Sequence, residues 1–113
     1  MPWLVRGDDV LAAAEVAVTR KVRRRGLLGR DHVDGVLVLR PCRQVHTFGM
    51  QFPIDLLFVR RDGVVVKRVL NLKSRRIAVA FRAFAVLEFA TGSSTVAATE
   101  VGDRLEVEAS GNS

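Results

Sequence analysis

The sequence predicts a mainly β domain: a small sandwich or barrel of about seven short strands, with one or two brief helices at the α+β margin. Three observations carry that reading. "IDLLFVRRDGVVVKRVL" holds two strand-length apolar runs, roughly 54–60 and 64–70, joined at Asp62-Gly63, a dipeptide that favours a hairpin turn. "GVLVLR" (35–40) and "AVLEFA" (85–90) are aliphatic runs of strand length, punctuated by Pro41 and Gly92. "GDRLEVEA" alternates Leu105, Val107 and Ala109 with polar residues, the period of a strand with one face buried. A chain of 113 residues can build one substantial core but not two, so 1–113 is read as a single domain.

The elements follow in order. "WLV" and "VLAAAEVAV" flank "RGDD", where Gly7 and Asp8 suit a tight turn, so the N-terminus reads as a hairpin. A helix over "DDVLAAAEVA" capped by Asp8 or Asp9 is the alternative. Thr19 can cap a short basic helix over "RKVRRRGLLG", with Gly29 at its C-terminus. Asp31, His32 and Asp34 in "GRDHVDG" have ligand-like types but read as a turn. In the central hairpin, Phe52, Ile54 and Leu56 share one face by parity, and Asp55, Leu57 and Val59 share the other. Glu88 alternates with Leu87 and Phe89, so its carboxylate needs an Arg or backbone partner if both faces are covered, and Arg40, Arg43 or Arg82 could serve. "TGSST" (91–95) is rich in Gly and hydroxyls but lacks the pattern of a phosphate cradle. "SGNS" is expected to fray.

Charge is unevenly spread beneath the net +6. Residues 20–82 hold sixteen Lys/Arg against four Asp, whereas 83–113 hold one Arg against five acids. Arg23, Arg24 and Arg25 in "RRRG", and Arg75 and Arg76 in "KSRR", are the candidates for a basic face toward an anionic partner. A solvated surface is the simpler reading of both runs, and nucleic acid is the alternative partner rather than the favoured one. No apolar run approaches the roughly 20 residues that cross a bilayer. "MPWLVRGDD" has neither the basic nor the apolar region of a signal peptide. Cys42 has no second thiol to pair with, which fits a reducing compartment. The expected location is cytoplasmic.

The densest chemistry lies in "CRQVHTFGMQFPIDLLF" (42–58). Cys42, His46 and Met50 recur every four residues, a spacing that one helical face would turn into a soft-metal site. Gly49 and Pro53 make a poor helix, however, and four residues of strand span about 13 Å, far beyond the reach of one ion. Cys42 as nucleophile, His46 as base and Asp55 as its orienting group is the enzyme reading. It lacks an oxyanion signature or a nucleophile elbow. A shaped turn explains more. Gly49 permits the reversal, Pro53 holds Phe52 extended, and Asp55 at a strand entrance can accept backbone N–H groups. Ligands of β domains commonly sit at such rims.

Taken together, "GLLGR", "GVLVLRPCRQVHTFGMQFPIDLLFVRRDGVVV", "AVLEFATG" and the Gly-Asp at 102–103 resemble, in this order, domain of unknown function family 192, a bacterial and archaeal group. The resemblance covers about 12–109. Its matching positions are Gly26, Leu27, Leu28, His46, Thr47, Met50, Pro53, Asp55, Gly63, Glu88, Gly92, Gly102 and Asp103. It implies a compact β fold and no particular chemistry. Many members carry an export or lipoprotein segment ahead of this domain, and none is read here. The resulting expectation is a non-enzymatic domain that binds a small ligand or a protein at the 42–55 rim, through Cys42, His46, Thr47, Phe48, Met50 and Asp55. No catalytic group, metal or cofactor is assigned.

Overall fold

The computed structural model describes residues 2–17 and 34–109. The expected basic helix after Thr19, and Arg23, Arg24 and Arg25 with it, lie outside the described residues. The N-terminal hairpin forms as expected: β1 (Pro2–Arg6) and β2 (Asp9–Ala17) pair antiparallel around Gly7, whose φ is +58°. The helical alternative for "DDVLAAAEVA" is set aside because β2 is hydrogen-bonded on both sides. Its outer neighbour is β1, and its inner neighbour is the parallel strand β3 (Val36–Leu39). Two ladders outweigh the helix propensity of three alanines.

The remaining strands are β4 (Gln44–His46), β5 (Ile54–Val59), β6 (Val65–Leu72), β7 (Ile77–Val79), β8 (Ala85–Ala90) and β9 (Glu106–Ala109). Seven of the nine form one mixed sheet in the order β6-β5-β8-β3-β2-β1-β9, and β4 and β7 form a separate two-stranded ribbon. A short helix, α1 (Ser94–Ala97), starts at the end of "TGSST", where Ser93 Oγ caps it by accepting the N–H of Val96 at 3.2 Å.

β3, β5 and β8 are buried at every position apart from Ala90 at the end of β8, and parity sorts their side chains. Leu57, Val59, Leu87 and Phe89 pack with Val36 and Val38, beneath Leu105 and Val96. Ile54, Leu56 and Phe58 pack with Leu37, Leu39 and Val86 on the opposite face, which Val45 and Ala78 of the ribbon cover together with Met50. Ribbon and sheet thus lie as two layers over the second core. Glu88 is buried on this second face, in register with Leu37 and Leu56.

The β5–β6 hairpin turns at Asp62-Gly63 as the sequence predicts. Arg60 N–H donates to Val64 O and Gly63 N–H to Arg60 O, both at 2.9 Å. Asp62 accepts the N–H of Val64 at 3.2 Å and pairs with Arg60 at 2.6 Å. The sheet is not closed into a barrel. Its two edges meet through one isolated bridge, Val64 to Arg104, with Val65 N–H donating to Asp103 O at 2.8 Å and Leu105 N–H to Gly63 O at 2.9 Å.

The hydrogen bond from Arg60, aided by that from the Val64 N–H, lowers the Asp62 carboxyl from 3.8 to about 2. A carboxyl depressed in the folded state stabilises it above the unfolded value and loses that contribution as pH falls toward 2. NMR titration should therefore find Asp62 still ionised at pH 3 in the native protein, and Arg60→Ala should return its midpoint toward 3.8. A native midpoint near 4 would contradict this turn geometry.

Candidate functional site

The ribbon determines which rim residues meet solvent. In the β4–β7 register Val45 faces Ala78 and both point into the core, so the next pair, His46 and Ile77, points outward. His46 is exposed, with its ring 5.8 Å from that of Phe48. Phe48 is 49% exposed and Ile77 58% exposed, large values for apolar side chains, and each neighbours His46, Phe48 by ring contact and Ile77 by strand register. Lys73, Arg75 and Arg76, all exposed, occupy the loop that leads into β7.

That loop is fastened by Thr47, whose side chain is fully buried. Its hydroxyl donates to Lys73 O at 2.6 Å and accepts the N–H of Arg76 at 2.9 Å, while its own N–H donates to Arg76 O at 2.9 Å. Thr47 O accepts the N–H of Met50 at 3.0 Å, closing the turn at Phe48-Gly49. The geometry makes Thr47 a clamp under the surface. Met50 is buried in the second core.

Asp55 is also buried, and it binds backbone as the sequence leads one to expect. One carboxylate oxygen accepts the N–H of Asn71 at 2.8 Å and the hydroxyl of Thr91 at 3.2 Å, and the other accepts the N–H of Ser93 at 3.2 Å. Asp55 therefore ties the end of β6 to the start of α1. It projects on the Leu57 face of β5, whereas the ribbon bearing His46 covers the Leu56 face. The sheet separates the two residues, and the acid–base pairing of His46 with Asp55 is not assembled. Cys42 is half-buried, and its Sγ donates to Gln44 O at 3.2 Å. Among the described residues no three His, Cys, Asp or Glu side chains are gathered as a metal would require.

Sequence reasoning missed a second arrangement. Arg43, Arg61 and Arg82 line a basin of about 640 Å³ with Pro41, Cys42 and Phe84. These residues come from three separate connections, and no local motif announces their meeting. A smaller cavity of about 310 Å³ opens beside the β5–β6 turn, near Arg60 and Phe84. Neither is lined by His46, Phe48 or Met50.

Fold and site together define a small mainly β domain, with an open, mixed sheet carrying an exposed ribbon. The chain belongs to the DUF192 family, described as uncharacterized ACR, whose model matches residues 4–107. The match begins ahead of the 12–109 block of motifs and so takes in most of β1, which lies in the sheet between β2 and β9. A protein of unknown function from Novosphingobium aromaticivorans superposes with a TM-score of 0.78 at 23% identity, over 93% of this chain and 83% of that one. A Sinorhizobium meliloti protein described as a "putative transcription regulator" superposes with a TM-score of 0.77 at 23% identity, over 94% and 91%. Likeness at this identity establishes the shared fold alone. No curated protein matches the chain. No helix among the described residues is long and apolar enough to cross a membrane.

Proposed function

We propose that this domain is a non-enzymatic binding module that docks an acidic protein surface through the solvent-facing part of the 42–55 rim. The observation that supports it is the juxtaposition of exposed His46, Phe48 and Ile77 with Lys73, Arg75 and Arg76 on one ribbon and its loop. Aromatic and aliphatic anchors flanked by arginine are the composition of a protein interface, and a partner of opposite charge would be steered to it. Thr47 and Met50 belong to the same rim as its support, holding the ribbon loop and turn in place instead of touching the partner, whereas Asp55 ties β6 to α1 on the other face of the sheet. Cys42 lies at its margin, and a reducing cytoplasm suits a chain with a single thiol.

Site-specific photo-crosslinking in cells tests the reading. A benzophenone side chain at position 48 should give a discrete, nuclease-resistant adduct that Arg75→Glu with Arg76→Glu abolishes. The same group at the exposed Val101, outside the ribbon, should not give it. A nuclease-sensitive adduct would favour the nucleic-acid alternative, and equal adducts from both positions would remove the ribbon from consideration.

A further inference from the structure

We propose that the basin walled by Arg43, Arg61 and Arg82 is a binding site for a multivalent oxyanion of the phosphate class, distinct from the ribbon face. Three arginines line one concavity of about 640 Å³, and its lining among the described residues contains no acidic residue. The carboxylate nearest in sequence is already committed. Asp62 is held by Arg60 through two hydrogen bonds, at 2.6 and 3.1 Å, and by the N–H of Val64, so it leaves Arg61 to the basin. None of Arg43, Arg61 and Arg82 forms an ion pair among the described residues.

Arg61 is also positioned. Its guanidinium carbon lies 4.0 Å over the Phe84 ring, and this stacking leaves the planar N–H edges free to point outward. The Phe84 wall is itself fixed by backbone bonds, its N–H donating to Val59 O at 2.7 Å and its carbonyl accepting the N–H of Cys42 at 2.8 Å. Arg43 makes a long contact of 3.5 Å from Nη1 to Phe81 O, which leaves its other donors uncommitted.

Three like charges facing one cavity repel one another until an anion enters, and each guanidinium can meet an oxyanion bidentately. A monocarboxylate compensates one charge of the three. A phosphate or diphosphate group carries more charge and at least three acceptor oxygens, so affinity should rise with anion valence. The cavity exceeds the size of a single phosphate, and Pro41 and Phe84 offer apolar surface beside the arginines. A phosphate ester of a small organic group is the ligand class that fits.

The test uses the intact chain with inorganic pyrophosphate, phosphate and acetate as probes, followed by calorimetry and by amide chemical shifts. Pyrophosphate should bind more tightly than phosphate, with acetate undetectable, and the shifts should cluster at Arg43, Arg61, Arg82 and Phe84. Arg61→Ala and Arg82→Ala should each weaken pyrophosphate by about tenfold or more, the loss of one charge-assisted contact. Arg75→Ala, in the ribbon loop, should leave it unchanged. Arg82 is exposed in a turn, so its variant decides the matter if Arg61→Ala loosens the fold. Unchanged binding in Arg82→Ala, or equal weakening by Arg75→Ala, would mean that the chain's general positive charge attracts the anion and the basin is no site. Absence of millimolar pyrophosphate binding to the native chain would overturn the proposal outright. Neither result touches the crosslinking outcome at position 48.

Discussion

Replacing Gly63 by Ala should lower the melting temperature by roughly 10–20 °C, given about 4–8 °C per kcal/mol for a domain near this size. Two costs combine at this position. Its φ of +90° lies where L side chains are strained by about 1–3 kcal/mol. A Cβ built there also collides with the carbonyl oxygen of Leu105. That collision is unavoidable because Gly63 O accepts the N–H of Leu105 at 2.9 Å, and the isolated bridge between the two edges of the sheet lies alongside, at Val64 and Arg104. Relieving the clash means separating the edges and giving up a hydrogen bond worth roughly 0.5–1.5 kcal/mol. Gly92 supplies the control. Its φ is +80°, but nothing lies within 4 Å of its Cβ position, so Gly92→Ala carries the strain without the clash. Thermal melts of the two variants separate the effects, and equal shifts would show that closure of the sheet edges contributes nothing.

Asp55→Ala should be nearly as damaging, and for a different reason. The carboxylate is 2% exposed and satisfies the N–H groups of Asn71 and Ser93 and the hydroxyl of Thr91. Removing it strands buried donors, at roughly 1–3 kcal/mol for each one that water cannot reach. Asn71 sits at a positive φ of +53°, so the end of β6 has little freedom to find another acceptor. Asp55→Asn keeps one acceptor oxygen and turns the other into a donor facing an N–H, so its melting temperature should fall between those of the native chain and Asp55→Ala. His46→Ala, at an exposed ribbon position, should leave the melt almost unmoved. If His46→Ala unfolds the protein while Asp55→Ala is neutral, the roles derived from these hydrogen bonds are reversed.

Much of this was legible because it is local. The Asp62-Gly63 turn, the two faces of Ile54–Val59 and the backbone-binding role of Asp55 all follow from residue type and from alternation with period two. The central block also carried enough specific residues to place the chain in its family. The three-residue strand β4 was not legible, since its pairing with β7 depends on partners 31 to 35 residues away and no turn motif joins them. Thr47 looked like part of a binding rim for the same reason: nothing in "HTFG" reveals that its hydroxyl reaches Lys73 and Arg76.

By itself the sequence determined that this chain is a mainly β domain with a central hairpin apolar on both faces, because each position's environment in such a strand repeats every second residue. Tertiary structure alone decided the strand order, the parallel pairing of β2 with β3 and the open curl closed at a single bridge. It also decided which polar residues became functional candidates. Thr47 and Asp55 went inward to satisfy backbone, His46 stayed on the surface, and Arg43, Arg61 and Arg82 converged from three connections. Convergence of that kind is set by how distant strands stack, and no local period in a sequence encodes it.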